Sequence, residues 1–199
     1  FRIAGRVGAS GYADLTIMGI EILGKLVASV PEFRRLAAEL ARSRGDRSGG
    51  GRLQVLDEAS PVVLAALWQE LARPLLVVTP RPEEARRLGE QIALWGAPAA
   101  RLFPESEALP FERLASDTET THQRLTTLSY LSSSADGETD DGPPLVVASI
   151  SAITQKTASP VAFTTASQVL SRGDHVDVED LLHRWRRIGY SHRPVVDMP

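Results

Sequence analysis

Residues 52–79 read RLQVLDEASPVVLAALWQELARPLLVVT, and three signals lie in that one run. Leu53, Val55 and Leu56 suggest a strand, Asp57-Glu58-Ala59-Ser60 a turn, Pro61–Leu71 a helix and Leu75–Val78 a second strand. Strand, helix and strand in that order predict a βαβ unit, and the apolar second strand suits a parallel sheet covered on both faces. The fold class is therefore α/β. In such a unit the turn after the first strand is where backbone N–H groups and a helix N-terminus meet phosphate. A turn that grips a triphosphate carries glycines, so that the backbone can wrap the anion, and a Lys-Ser or Lys-Thr pair. Here the positions hold Asp57, Glu58, Ala59 and Ser60. Two carboxylates repel a triphosphate, while Ser60 as N-cap and Pro61 in the first turn start a helix for structural reasons.

Further along, Thr79-Pro80 is expected to cap a helix from about Glu83 to Trp95, with Ala85, Leu88, Ile92 and Trp95 as its buried stripe. A short strand near Arg101–Phe103 follows, and then an irregular segment, Pro104–Leu114. Ser116 with Glu119 makes a capping-box pattern for a helix carrying Leu125, Leu128 and Leu131. Ser132–Pro144 is polar, acidic and free of aromatic residues, the composition of a disordered surface loop. Leu145–Ala148 reads as another apolar strand and Ser149–Lys156 as a short helix. Past Pro160 the expectation is an edge strand at Gln168–Leu170, a turn at Arg172-Gly173-Asp174, and a helix capped by Asp177. That helix uses Val178, Leu181, Leu182, Trp185 and Ile188 and ends at Gly189.

On the N-terminal side, Leu15, Met18, Ile22, Leu26 and Val30 recur at helical spacing. Ser29 with Glu32 suggests a capping box for a second helix bearing Phe33, Leu36, Ala37 and Leu40 on one face. Two amphipathic helices need a surface to pack on, and the α/β domain beyond the Gly- and Ser-rich linker 43–51 offers one. The organisation read from this pattern is a helical segment and linker (1–51), an α/β domain (52–165) and the beginning of a smaller α+β domain (166–199).

Composition narrows the function. A hydrophobic content of 43% and a charged content of 24% suit an ordinary globular chain, and a net charge of −3 gives no global signal for nucleic acid. The absence of cysteine excludes disulfides and thiolate metal sites and fits a reducing cytoplasmic setting. No apolar run reaches the ~18 residues of a membrane span, the stretch from Leu15 to Val30 being broken by Gly19, Glu21, Gly24 and Lys25. Opening on Phe1 and closing on Asp197-Met198-Pro199, the sequence reads as a piece of something longer. The histidines His122, His175, His183 and His192 have no close-set ligand spacing, so no metal site is expected. Glu105, Glu107 and Glu112 lack a partner nucleophile and read as a solvated acidic loop, so no catalytic residue is assigned. Arg184, Arg186, Arg187 and Arg193, beside Trp185 and Tyr190, form the one basic cluster of interest. With Trp185 facing a core, Arg184 and Arg187 point outward, which reads first as a plain solvated helix face and second as a surface for phosphates or an acidic partner.

Several short motifs, in order, carry a resemblance. They are Leu75-Leu76-Val77-Val78-Thr79-Pro80 with Glu84-Ala85 and Leu88; Phe103-Pro104 to Leu109-Pro110-Phe111-Glu112; and Arg124-Leu125-Thr126-Thr127-Leu128. Leu145-Val146-Val147-Ala148-Ser149 follows with Ala152-Ile153-Thr154-Gln155-Lys156, then Leu170, Gly173, Leu181-Leu182 and Gly189-Tyr190. Over Pro74–Tyr190 the chain resembles the N-terminal region of the bacterial transcription-repair coupling factors. That region is in turn similar to the excinuclease-B protein, with a decayed nucleotide site. The resemblance implies a RecA-like, non-catalytic first domain whose loop Asp57-Glu58-Ala59-Ser60 holds no nucleotide, and no cofactor in this chain. It implies ATP and Mg in a downstream motor of the parent protein, which displaces stalled RNA polymerase from duplex DNA. It implies docking of the excinuclease-A protein through the domain that begins near 166, with Arg184, Arg187 and Arg193 as contact candidates, and no membrane partner. The excinuclease-B protein itself fits less well, because its intact phosphate loop and tyrosine-rich hairpin have no counterpart here. Two rival readings, an active helicase-type ATPase and a free-standing α/β ligand-binding module, differ from this one in whether the chain binds nucleotide or closes its C-terminal element.

Overall fold

The computed structural model describes residues 24–42, 51–97, 100–106, 118–135, 142–168, 170 and 172–190. The chain forms two compact units, residues 1–156 and 157–199.

In the first unit three parallel strands, β1 (Leu75–Thr79), β2 (Ala100–Phe103) and β3 (Leu145–Ser149), lie in the order β1-β3-β2. Leu75 stands opposite Leu145 and Thr79 opposite Ser149, while Ala100 to Phe103 run beside Leu145 to Ala148. The central strand is buried along its whole length, as five residues of Leu-Val-Val-Ala-Ser flanked on both sides should be.

Each face of the sheet has its own helices. On one side, α2 (Ser60–Leu71) and α3 (Pro82–Leu94) bring Ala65, Ala85 and Ile92 against Leu145 and Val147, with Leu75, Val77 and Leu102 at the margin. Burying a side chain the size of Ile92 or Leu145 contributes roughly 1.5–3 kcal/mol. On the other side, α4 (Thr118–Ala135) and the short α5 (Ile150–Thr154) cover Val146, Ala148 and Phe103 through Leu128 and Ala152. The expectation of a sheet covered on both faces holds for β3 but not for β1. Leu76 and Val78 are 55% and 43% exposed, whereas Leu128 of α4 packs against Phe103 of β2 and Val146 and Ala148 of β3.

Helix α1 (Pro31–Arg42) supplies a second layer. Phe33 and Ala37 pack on Ala66 and Leu67 of α2, and the Arg73 guanidinium donates to the Leu40 carbonyl near the end of α1. Residues 24–29 are helical too, but Ser29 Oγ donates back to Leu26 O (2.7 Å) instead of heading a capping box.

Several other expectations need correcting. Residues 51–56 form no strand. They run singly to a 3-10 turn, Asp57–Ala59, that enters α2 directly, with Leu56 77% exposed and no partner strand for its backbone. The βαβ opening is therefore coil, turn, helix and strand. Nor is Ser60 an N-cap: Ala59 holds that place in helical geometry, and Ser60 Oγ donates to Leu56 O at 3.3 Å. Thr79 does not cap α3, since its hydroxyl is spent on Arg81 O (2.9 Å) and Arg81 is the N-cap residue. Arg81 pairs with Glu84, which raises the guanidinium pKa.

In α4 the buried residues are Thr127 and Tyr130, while Leu125 and Leu131 face outward. The helix also continues through Ser132–Ala135, taking the start of what composition suggested was a loop. Pro143 and Pro144, at that segment's far end, are tied in by Trp68 Nε1 (2.8 Å) and Leu75 N (2.8 Å). Ser116, Glu107 and Glu112 lie outside the described residues, as do the helical positions before Gly24.

The second unit contains α6 (Pro160–Ala166) and α7 (Val178–Arg187). Ser159 caps α6, accepting from Ala162 N (3.2 Å). Asp177 Oδ1 caps α7, accepting from Glu179 N (2.9 Å) and Asp180 N (3.2 Å), as its sequence suggested. Gly189, at φ +105°, turns the chain after α7, and Tyr190 N closes on Trp185 O at 3.0 Å. Gln168 and Leu170 lie in irregular backbone, not in an edge strand, and no strand occurs among the described residues of this unit. None of those residues is buried, so Trp185, at 36% exposure, faces no core there.

Candidate functional site

Asp57 and Glu58 are both exposed in the 3-10 turn, and no strand leads into it. The turn closes on itself through Ala59 N to Leu56 O (3.0 Å), and Ser60 spends its hydroxyl inside the same turn. What faces solvent is carboxylate, and an anionic ligand would meet like charge.

The carboxyl ends of β2 and β3 are elsewhere. In an open parallel sheet that is the rim where ligands gather. A cleft of about 390 Å³ opens there, lined by Arg86 and Arg87 of α3, Glu83, Glu105, Thr120 and Ser149. A polar cluster fixes one wall. Ser149 Oγ, in contact with Ser151 Oγ at 3.0 Å, also accepts from Ala152 N (3.1 Å), capping α5. Ser151 in turn donates to Glu105. Glu105 is thus an anchor for the segment leaving β2 rather than a solvated acid.

Beside it, Gln155 embraces Ser106, receiving its N–H at 2.8 Å and donating to its carbonyl at 3.0 Å. Arg124 completes the clamp. Its guanidinium lies 4.2 Å from the Phe103 ring centre and donates to Pro104 O (2.6 Å) and Gln155 Oε1 (3.2 Å). Burial pulls its pKa down from the ordinary arginine value. Sequence reasoning places Arg124 and Gln155 in motifs without giving them a task. Nothing local in the sequence joins residues 104–106 to residues 124 and 155; the β2–β3 register brings up Gln155, and the packing of α4 on β2 brings up Arg124.

Of the basic candidates, Arg184 and Arg187 are exposed on α7, and Arg193 lies outside the described residues. Arg184 reaches Gln168 Oε1 at 3.5 Å, and Trp185 leans on Tyr190 with ring centres 6.0 Å apart. His122, His175 and His183 are exposed and scattered, and no group of three metal-ligating side chains occurs among the described residues. Among those residues no helix is long and apolar enough to cross a membrane.

These features define a class: an α/β module with a three-stranded parallel sheet, an acidic 3-10 turn ahead of α2, and a clamped segment at the carboxyl rim of the strands. No protein-family model matches the chain. Its sequence is related to that of the transcription-repair-coupling factors. The proteins of that name from Mycobacterium bovis and Mycobacterium tuberculosis are each 31% identical to it over 183 residues, 90% of this chain. The chain spans 14% of the length of those relatives.

Proposed function

We propose that the chain is a non-catalytic module of a transcription-repair coupling factor, acting in transcription-coupled nucleotide excision repair as a docking piece. On this reading the first unit is a RecA-like domain of the excinuclease-B type whose nucleotide turn, Asp57 to Ser60, no longer holds a triphosphate. The second unit begins the domain that receives the excinuclease-A protein. Arg184, Arg187 and Arg193 are the contact residues, for that partner or for DNA. ATP and Mg belong to a motor elsewhere in the parent protein, and RNA polymerase and duplex DNA are the parent's partners.

One observation carries the reading: the turn into α2 presents two exposed carboxylates, Asp57 and Glu58, and has neither the glycines nor the lysine that grip a triphosphate. The likeness to coupling factors over 90% of the chain supports the repair setting. Isothermal calorimetry of the 199-residue chain with MgATP tests it. No heat of binding is expected up to millimolar nucleotide, and a micromolar, Mg-dependent affinity would refute the reading.

A further inference from the structure

Where β2 ends, its backbone changes partners. Through Phe103 the strand runs beside β3, but among the described residues the backbone of 104–106 is held by side chains only. Arg124 of α4 donates to Pro104 O at 2.6 Å, and Gln155 takes Ser106 N–H at 2.8 Å while donating to Ser106 O at 3.0 Å. Glu105, between them, accepts from Ser151. All three residues are half-buried, and Pro104 and Glu105 form part of the cleft's wall.

That change of partners separates two stabilities. Breaking the β2–β3 ladder dismantles the sheet and the cores on both its faces. Freeing 104–106 breaks a few side-chain bonds and exposes little apolar surface. Position adds a second consequence. Gln155 lies at the end of the first unit, whose last residue is Lys156. The side chain that holds Ser106 therefore stands at the start of the connection to the second unit. Arg124 also reaches Gln155 Oε1, at 3.2 Å, so the two grips share one atom.

We infer that residues 104–106 are a strap that unlatches as one piece from an intact sheet, opening the cleft on that side and slackening the connection after Gln155 at the same time. A displacement of the connection is then felt at the cleft while β1, β2 and β3 keep their places. The inference rests on these bonds and is independent of the nucleotide question and of the repair assignment.

Native-state hydrogen exchange of the full chain by NMR, at urea concentrations below the unfolding transition, reads the opening. Ser106 N–H is expected to be protected, to exchange faster than Val147 N–H of β3, and to ignore urea, the signature of an opening that exposes little surface. Arg124→Met should speed Ser106 exchange roughly tenfold or more. The chain has no cysteine, so a nitroxide on Lys156→Cys reports on the connection alone. Its EPR line should narrow when Arg124→Met is added, although that substitution lies on another helix. Should Arg124→Met fail to fold, Ser151→Ala, which frees Glu105, takes its place and should move both readouts the same way. Ser106 exchange with the urea dependence of Val147, an opening reached only by global unfolding, overturns the proposal. Ser106 without protection overturns it as well, and so does a nitroxide line that stays unchanged while Ser106 exchange quickens.

Discussion

Replacing Arg124 by Met tests whether the clamp at the carboxyl rim holds the first unit together. Methionine keeps most of the side chain's length and its contact with Phe103 while removing the charge. Lost are a short charge-assisted bond to Pro104 O at 2.6 Å and a longer one to Gln155 Oε1 at 3.2 Å. A hydrogen bond to a charged group contributes about 1.5–3 kcal/mol, and the guanidinium over the ring adds about 0.5–1 kcal/mol. Against these stands the cost of drawing the charge partly out of water, the same cost that lowers the Arg124 pKa. Gln155 keeps its two bonds to Ser106, so the clamp weakens without coming apart. The net expectation is a loss of about 2 kcal/mol at neutral pH. Urea unfolding followed by far-UV circular dichroism should show a lower midpoint with an unchanged slope. Gln155→Leu, combined with Arg124→Met, should cost less than the sum of the two single changes, because the pair shares one bond. A loss below about 0.5 kcal/mol, or strict additivity, would refute a structural role for the clamp.

Two further substitutions probe the helices. Gly89 sits inside α3 facing β3, and a Cβ there would stand 3.9 Å from Val147, an ordinary contact. Gly89→Ala is therefore expected to raise stability by about 0.5–1 kcal/mol, seen as a higher urea midpoint; a lower one would mean that α3 and β3 cannot accept a methyl group. Asp177→Ala removes the acceptor for two N–H groups at the start of α7. It should cost about 1 kcal/mol of local helix stability and lower the far-UV helical signal; an unchanged spectrum would show that the cap is dispensable.

The parts legible in the sequence are those in which local chemistry and packing agree. Leu75 to Val78 and Leu145 to Ala148 are short apolar runs between turn signals, and both are strands, the second buried throughout. Asp177 and Gly189 mark the ends of α7 by capping and by left-handed geometry, signals that need no neighbour. Leu53 to Leu56 misleads because alternation proposes a strand and only an adjacent strand completes one. Leu125 and Leu131 mislead for another reason: α4 turns Thr127 and Tyr130 inward, and Thr127 Oγ1 donates to Leu102 O at 2.9 Å, a bond worth burying a hydroxyl for. Ser159-Pro160 carries the same start signal as Ser60-Pro61, and at α6 the serine does cap the helix. The Arg124 clamp has no local signal, because its partners lie 20 and 31 positions away.

The strand order also dictates a sequence of events at birth. Because β3 lies between β1 and β2, the two strands made first cannot touch one another and must wait for the last. A ribosome that has released Leu75 to Phe103 has therefore exposed two sticky ribbons with no template, and the long closure from β1 to β3 is entropically slow. Until Leu145 to Ser149 emerges, the nascent chain is at its most vulnerable to aggregation and to proteases.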